Sequence, residues 1–463
     1  MRAGWKQFPI RLPSPFGRDR AGSHTHYELA LCRSRGAMRR KDHDASDTTT
    51  TTTRIKVPAA VAPPCSASPA DGPHGRLVTI IGHRNMARFW GWLIRDIIAA
   101  GHRVVAIGSD EPGVAQAITG LGAEFRPLSL RTTGLNPVRD LKDLGSLAAL
   151  VRELRPDIVV THGTKSNVIG VLAAKVARVG EVFVVVEGLG YAFAGGRELR
   201  RLCLRALLCV LFAGALRFAR AILVMNPDDG RVIRRLGLER RSRPVVRIEG
   251  TGIDLEEFSY APPVAGPLNV LMIARLLREK GVVEYAAASQ RLRDQGTACR
   301  MDLLGPYDSN PGAIDEDQVN AWIAECLINY LGETDDVRPY LRACSILCLP
   351  SYREGLPRTV LEALAIGRPI ITTDVPGCRE LVIDGVNGFI VPPRDPDALA
   401  AAITRFVDRP ELLVTMAQAS RALAEARYNV GDINPLIMAT MGLSAPPSSP
   451  HCGQSAQEPK WRR

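Results

Sequence analysis

Two glutamates, Glu354 and Glu362, stand eight positions apart in the segment PSYREGLPRTVLEALAIGRP, which spans residues 350–369. Ionised carboxylates accept hydrogen bonds from neighbouring hydroxyl groups. Pro357 suits the first position of a helix. Glu354 is predicted to lie in the loop after a strand, and Glu362 two turns into the helix. At about 100° per residue, the two positions differ by about 80° around a helix axis, so both side chains could reach one cleft if the loop folds over. A solvated helix face is the alternative interpretation of this spacing taken alone.

Anion-binding groups accompany the two acids. The amides near Gly355 and Leu356, at the predicted helix start, can point at an anion. Arg275 and Lys280 stand in the segment LMIARLLREKG, residues 271–281, just after a predicted strand. A planar guanidinium and a compact ammonium together could neutralise a diphosphate leaving group. Exposed loop cations are the alternative interpretation.

The sequence offers no convincing metal site. Mg²⁺ is usually held by carboxylates and substrate phosphates, and an Asp-X-Asp motif after a strand would supply the carboxylates. None of the three Asp-X-Asp occurrences is in such a position: residues 42–44 lie in the predicted tail, 315–317 in a predicted helical, solvated stretch and 395–397 at a predicted helix start. Cys344 and Cys348 have a CxxxC spacing without histidines in register. We therefore predict a reducing compartment, no metal and no cofactor.

Polar segments follow two early strands. Residues 82–85, GHRN, come after the first predicted strand, and residues 161–167, THGTKSN, come after a later one. The carboxyl ends of parallel strands face the ligand crevice in open α/β sheets. Arg84, Lys165 and Asn167 are accordingly candidate substrate-binding residues.

The elements that must position these residues form an α/β pattern. Short apolar runs alternate with helical stretches, which favours parallel sheets covered on both faces. The pattern restarts after the Pro-rich segment 261–267. We predict two doubly wound Rossmann-like domains, with these boundaries: a disordered tail over 1–75, a first domain over 76–260, a second over 266–410, a helical segment over 411–440 that returns to the first domain, and a disordered tail over 445–463.

Charge and composition limit the classes of binding partner. The formal net charge is +11, which favours a nucleic acid, a phosphorylated small molecule or an anionic membrane. Residues 197–220 combine an apolar body with six arginines, which is typical of a helix in a membrane interface; a core helix with surface arginines is the alternative. We predict peripheral membrane contact and no nucleic acid partner. A complete GxGxxG turn is missing, which argues against a nicotinamide dehydrogenase.

The run from Glu354 to Asp395, EGLPRTVLEALAIGRPIITTDVPGCRELVIDGVNGFIVPPRD, resembles the retaining GT-B glycosyltransferase family 4, and the resemblance extends over about 77–428. It implies two domains facing a cleft, with Glu362 on the ribose hydroxyls of a nucleotide and Glu354 on the donor sugar. Arg275 and Lys280 would then bind the donor phosphates. The first domain would receive the acceptor.

One family position differs in this chain. Many relatives carry a histidine after the strand that ends here at Val186, where this sequence has Glu187. Either Glu187 or His162 could take that role; a hydrogen-bonded loop histidine is the alternative for His162. Both are therefore candidate catalytic residues.

Three further segments, 187–190, 226–229 and 250–254, resemble bacterial enzymes that extend undecaprenyl-diphosphate-linked sugars. This resemblance implies retaining transfer of a hexose or N-acetylhexosamine from a nucleotide sugar, UDP-linked, to a lipid-linked glycan acceptor. The enzyme would act at the cytoplasmic face of the inner membrane, in polysaccharide synthesis. A nucleotide-sugar 2-epimerase of the same architecture and a sugar-nucleotide-binding pseudoenzyme scaffold are the alternatives.

Overall fold

The computed structural model describes residues 75–443 except 84, 129–135, 191–192, 194–198 and 311. The predicted tails over 1–75 and 445–463 therefore lie, apart from residue 75, outside the described residues. Within the described ranges, no helix combines the length and the apolar character needed to cross a bilayer.

The first sheet has seven parallel strands in the order β3-β2-β1-β4-β5-β6-β7. Six were predicted from apolar runs. The seventh, β3, was missed because its sequence EFRP alternates charged and apolar residues and ends in proline. The strands are β1 (Leu77–Ile81), β2 (Arg103–Gly108), β3 (Glu124–Pro127), β4 (Ile158–His162), β5 (Glu181–Val186), β6 (Ala221–Val224) and β7 (Val245–Arg247).

Six helices connect these strands. Two begin at an asparagine followed by proline: the side chains of Asn136 and Asn226 accept from backbone amides three residues on, and proline lacks an amide that would need a partner. The helices are α1 (Met86–Ala99), α2 (Val114–Thr119), α3 (Pro137–Leu154), α4 (Thr164–Val176), α5 (Leu199–Ala215) and α6 (Pro227–Arg235).

The second sheet has six parallel strands in the order β10-β9-β8-β11-β12-β13. Its strands are β8 (Leu268–Ile273), β9 (Cys299–Leu304), β10 (Asn329–Tyr330), β11 (Ile346–Leu349), β12 (Ile370–Thr373) and β13 (Gly388–Val391). Its helices are α7 (Val282–Asp294), α8 (Glu316–Ala324), α9 (Arg338–Ala343), α10 (Arg358–Ile366) and α11 (Pro396–Asp408). The prediction of an α/β fold with two doubly wound sheets is confirmed.

The segment predicted as helical over 411–440 forms two helices, α12 (Glu411–Arg427) and α13 (Val430–Thr440). Asn429 separates them, and its side chain accepts from the Gly431 amide at the start of α13. Helix α13 contacts α1, where Asn434 Nδ2 donates to Asp96 Oδ2 over 2.6 Å. The chain thus returns to its first domain, as expected.

A buried arginine fastens the connection between the two domains. Arg368, which is fully buried, donates to five backbone carbonyls. Two of them, in Ala261 and Pro262, belong to the connecting segment, and the others are in Leu341, Arg342 and Gly367. The proline-rich segment is therefore anchored at its start to the second domain.

We predict that Arg368→Met lowers the free energy of unfolding by about 3 kcal/mol, because buried carbonyls lose their donors. Chemical denaturation followed by tryptophan fluorescence measures the change. Arg409→Met is the matched control. The Arg409 side chain is 65% exposed, so this substitution should alter the free energy of unfolding by no more than about 0.5 kcal/mol. Equal effects of the two substitutions would contradict this role for Arg368.

Candidate active site

Glu354 lies in the loop between β11 and α10, at the carboxyl end of the second sheet. Helix α10 begins at Arg358, so Glu354 precedes the helix and lies in the loop after the strand, as predicted. The loop is fixed by a hydrogen bond from the Glu354 amide to Pro376 O, 3.0 Å long. Glu362, by contrast, lies within α10 as predicted.

Lys280 and Glu354 form a direct ion pair. Lys280 Nζ lies 2.6 and 2.8 Å from the two carboxylate oxygens, and Ser351 Oγ donates to one of them over 2.7 Å. Gly281 next to the lysine has a φ of +79°, and a Cβ there would overlap the Pro350 backbone. A glycine at this position therefore lets the two predicted motifs meet.

Arg275 lies at the end of β8, at the same edge of the sheet, but has a different partner. Its guanidinium donates to Asp308 Oδ2 over 2.7 Å, and its side chain is 48% exposed. The structure therefore brings Lys280 and Glu354 together, while Arg275 is held in a separate pair.

Glu362 is a buried carboxylate with one unsatisfied oxygen. Its Oε1 accepts from Arg358 Nε over 3.0 Å and from Arg88 Nη2 of the first domain over 3.3 Å. Its Oε2 is buried and has no hydrogen-bond partner among the described residues. A buried acceptor without a partner is costly, so this oxygen suits a ligand hydroxyl group.

Glu187 is the acidic group of the first domain at this cleft. Its Oε1 accepts from Trp90 Nε1 over 2.9 Å and lies 3.3 Å from His162 Nδ1; its Oε2 lies 3.2 Å from His83 Nε2. Burial by itself raises the pKa of Glu187, but the interactions with His162 and His83 outweigh it and hold that pKa well below its ordinary value.

His162 lies behind Glu187. It is 1% exposed, and burial lowers the pKa of His162, an effect that Glu187 offsets only in part. Of the two candidates for the role in the first domain, Glu187 has the more exposed side chain, at 17% against 1% for His162, and the arrangement therefore favours Glu187. A direct catalytic role for His162 stays a prediction.

A junction between the domains surrounds Gly355. Its carbonyl oxygen accepts from Asn226 Nδ2 over 2.9 Å, and a Cβ on Gly355 would overlap the carbonyl oxygen of Glu187. The neighbouring Arg353 forms an ion pair with the fully buried Asp229 of the first domain. Burial raises the pKa of Asp229, and Arg353 counteracts only part of that shift.

Other predicted substrate-binding residues serve the fold. Asn167 is buried, its Oδ1 accepts from Thr161 and its Nδ2 donates to Val185 O, each over 2.8 Å, so both ends of its amide are occupied. Lys165 forms an ion pair with Asp140 of α3 over 2.6 Å. The Leu356 side chain is buried in the core.

Arg84 lies outside the described residues. The amides of Gly355 and Leu356 stand just before α10, and their binding of an anion stays a prediction.

Sequence reasoning missed several residues that contact the site acids. Arg88 and Trp90 are on α1, where nothing in the local sequence distinguishes them from other helix residues. His83 was considered only as part of the segment 82–85. Arg358 could have been found, because it precedes Glu362 by four residues and therefore shares its helix face. No local sequence pattern indicates that Arg353 pairs with Asp229.

His83, His162 and Glu187 are also residue types that bind metals, with their ligand atoms within 4.8 Å of one another. However, the Asn85 amide donates to His83 Nδ1 over 3.2 Å, so Nδ1 is an acceptor and the ring hydrogen sits on Nε2. A protonated Nε2 can donate to Glu187 but cannot ligate a metal. The cluster fits a hydrogen-bond network better than a metal site.

Comparison with known proteins identifies both halves of the chain. The model of the glycosyl transferase 4-like domain matches residues 86–248, and that of the glycosyl transferases group 1 matches residues 267–409.

Two curated bacterial proteins illustrate the similarity. The N,N'-diacetylbacillosaminyl-diphospho-undecaprenol alpha-1,3-N-acetylgalactosaminyltransferase of Campylobacter jejuni is 29% identical over 327 residues, which are 68% of this chain and 84% of that protein. The UDP-Gal:alpha-D-GlcNAc-diphosphoundecaprenol alpha-1,3-galactosyltransferase of Escherichia coli is 27% identical over 301 residues, which are 62% and 75% of the two chains.

Solved structures share the architecture. Anabaena HepE, in complex with UDP and glucose, superposes with a TM-score of 0.63 at 20% identity, covering 80% of this chain and 99% of its own. The sucrose-phosphate synthase of Thermosynechococcus elongatus gives a TM-score of 0.64 at 19% identity, covering 79% and 98%. These likenesses show the GT-B fold.

The two family models together span more than half of the sequence and divide it where the structure changes from one sheet to the next. The chain therefore belongs to the group 1 glycosyltransferases and carries a glycosyltransferase 4-like domain ahead of its group 1 domain.

Proposed function

We propose that this glycosyltransferase moves a hexose or N-acetylhexosamine from a UDP-sugar to a polyprenyl-diphosphate-linked acceptor, with retention at the anomeric carbon. The observation that carries the proposal is the convergence of the Lys280–Glu354 pair and the unsatisfied oxygen of Glu362 at the junction with the first domain. These groups match a ligand that carries phosphates, a ribose and a sugar.

The charges suit a nucleotide-diphosphate leaving group. Lys280 balances Glu354 without a bound ligand, and with a donor present its ammonium can also interact with a phosphate oxygen. Arg275, on the same edge of the sheet, offers a second cation if it exchanges Asp308 for phosphate. Stabilising the developing negative charge in this way supports departure of the diphosphate without a metal ion.

The nucleotide and acceptor classes are supported by the relatives. The names of both curated relatives describe undecaprenol-diphosphate-linked sugars, one names a UDP-sugar donor, and HepE was solved with UDP. For this chain we propose the same chemical classes, in the synthesis of a surface polysaccharide.

The exposed apolar residues of helix α5 support a position of the protein at the membrane surface. Leu199 and Val210 are 75% and 69% exposed, and Leu202 and Leu207 are exposed as well. At about 100° per residue, these four lie within about 140° of one another on one side of the helix. The opposite side buries Phe212 and neighbouring residues in the core of the first domain.

An apolar face of this kind, with exposed Arg205, Arg217 and Arg220 nearby, suits an anionic bilayer. We therefore propose a peripheral position at the cytoplasmic face of the inner membrane, where a lipid-linked acceptor also lies. The first domain, which carries α5, would receive that acceptor.

We predict that Lys280→Ala and Glu362→Gln each reduce glycosyl transfer by roughly 100-fold or more, because each removes a charged contact to the donor. Product formation from UDP-N-acetylhexosamine and a polyprenyl-diphosphate-linked sugar measures the effect, and circular dichroism checks the fold. Arg278→Ala, which removes an exposed cation from the same turn as Lys280, should leave transfer unchanged. Wild-type turnover in either site variant would remove that residue from the mechanism.

We also predict that transfer is insensitive to chelation, since side-chain cations can supply the charge that a divalent ion would otherwise provide. Activity after EDTA treatment should equal that of the untreated enzyme. A loss that Mg²⁺ or Mn²⁺ restores would refute metal-independent transfer.

Replacing Leu199, Leu207 and Val210 by serine should release the protein from vesicles containing anionic lipids, because buried apolar area drives interfacial binding. Flotation at low and high salt measures the bound fraction, and salt should weaken wild-type binding without abolishing it. Serine replacements of Val386 and Val414, which are 48% and 49% exposed in the second half of the chain, are the matched control. Failure of the wild-type protein to float with these vesicles at low salt would exclude the proposed surface.

A further inference from the structure

We propose that Trp90, His83 and His162 form a cage around the Glu187 carboxylate, in which Trp90 and His83 donate hydrogen bonds and His162 packs against it, and that the carboxylate keeps acceptor capacity open to a sugar hydroxyl group. The cage makes Glu187 a hydrogen-bond acceptor for substrate, and makes the three ring residues positioning residues. This inference rests on the proposed transfer of a sugar from a nucleotide donor.

The number of partners leaves acceptor capacity on Glu187. A carboxylate offers about four lone-pair sites. Trp90 Nε1 occupies one at 2.9 Å and His83 Nε2 another at 3.2 Å, while His162 Nδ1 lies 3.3 Å from the oxygen that Trp90 contacts without a hydrogen bond to it. The Glu187 side chain is 17% exposed, so the carboxylate is not fully enclosed by these partners.

Two of the three rings can only donate to Glu187. An indole nitrogen can only donate. The Asn85 amide donates to His83 Nδ1 and so places the ring hydrogen of His83 on Nε2, facing Glu187. The His162 ring packs against Gly82, where a Cβ would overlap it, and presents Nδ1 to Glu187 without a hydrogen bond.

The open position lies beside the proposed sugar site. The Glu187 carbonyl oxygen abuts Gly355, and Gly188 has a φ of +134° and packs so closely that a Cβ on it would lie 3.1 Å from the Gly355 backbone. Gly355 directly follows Glu354, which we propose contacts the donor sugar. Glu187 thus stands where a sugar meets the first domain.

The contacts around Glu187 favour a role as hydrogen-bond acceptor over a role as base. The same contacts that orient Glu187 hold its pKa well below the ordinary value, so it is a weak base at neutral pH. It can instead accept a hydrogen bond from a hydroxyl group and favour sugars that present one in that direction. A sugar that lacks this hydroxyl leaves an acceptor position of a largely buried carboxylate unfilled.

The first experiment uses Glu187→Gln in the full chain, with UDP and the UDP-sugar as separate ligands. We expect kcat/KM to fall by roughly 10- to 100-fold, because a charged hydrogen bond is lost, while UDP affinity stays unchanged. Weaker UDP-sugar binding would place the hydroxyl on the donor sugar, and a raised acceptor KM alone would place it on the acceptor. Unchanged kcat/KM, or an equal loss of UDP affinity, would overturn the proposal.

A second measurement does not depend on turnover. The chain has five tryptophans, so the indole N–H signal of Trp90 can be assigned in ¹⁵N-tryptophan NMR spectra by comparison with Trp90→Phe. Between about pH 5 and pH 4, below the ordinary titration range of histidine and across that of glutamate, the Trp90 signal of the wild-type protein should stay constant because Glu187 remains ionised. In His83→Ala, loss of one donor raises the pKa of Glu187, and the signal should move towards the acid end.

The neighbouring charged groups must be controlled in this titration. Those on elements packed around Glu187 are His83, His162, Arg88 bound to Glu362, and Lys280 bound to Glu354. Trp92→Phe on the same helix is the matched control and should change neither the kinetics nor the Trp90 signal. A wild-type Trp90 signal that titrates in this range would refute the cage even if transfer is confirmed. A constant signal in a protein without transferase activity would instead refute only the proposed function.

Discussion

The close contact between two glycine-containing loops governs how the two domains meet. Gly355 of the second domain lies against Glu187 and Gly188 of the first, and the space between them excludes a Cβ at Gly355. The flanking residues strengthen this junction, since Asn226 donates to Gly355 O and Arg353 pairs with buried Asp229. Glu354 lies between these contacts, so its position depends on both domains.

The second constraint is that each buried carboxylate needs a nearby cation or N–H donor. Every acid around the cleft has nearby cations or N–H donors: Glu354 has Lys280, Glu362 has Arg88 and Arg358, and Glu187 has its three rings. Removing one partner from such a group leaves an uncompensated charge and is strongly destabilising. The site is therefore organised before a ligand binds, and a donor can exchange hydroxyls and phosphates for existing partners.

The two domains differ in the features on which the proposed function depends. The first domain carries the exposed leucines and valine of α5, while the second carries the Lys280–Glu354 pair and the buried Glu362. This division suits the proposed enzyme, which would draw its acceptor from a lipid surface and its donor from solution. The return of α13 to α1 ties the end of the chain to the first domain.

The sequence alone determined the two parallel sheets, because buried strands are continuous apolar runs. It indicated Glu354 and Glu362 through one contiguous motif and Lys280 through another. It also placed Asn167 in the substrate site, where the structure shows an amide satisfied inside the domain. Strand β3 escaped prediction because an edge strand need not be apolar. Only the tertiary structure decided that Lys280 binds Glu354, that Arg88 reaches Glu362 and that three rings surround Glu187. These contacts join residues between 25 and 274 positions apart, and local patterns carry no information about which distant side chains the fold brings together.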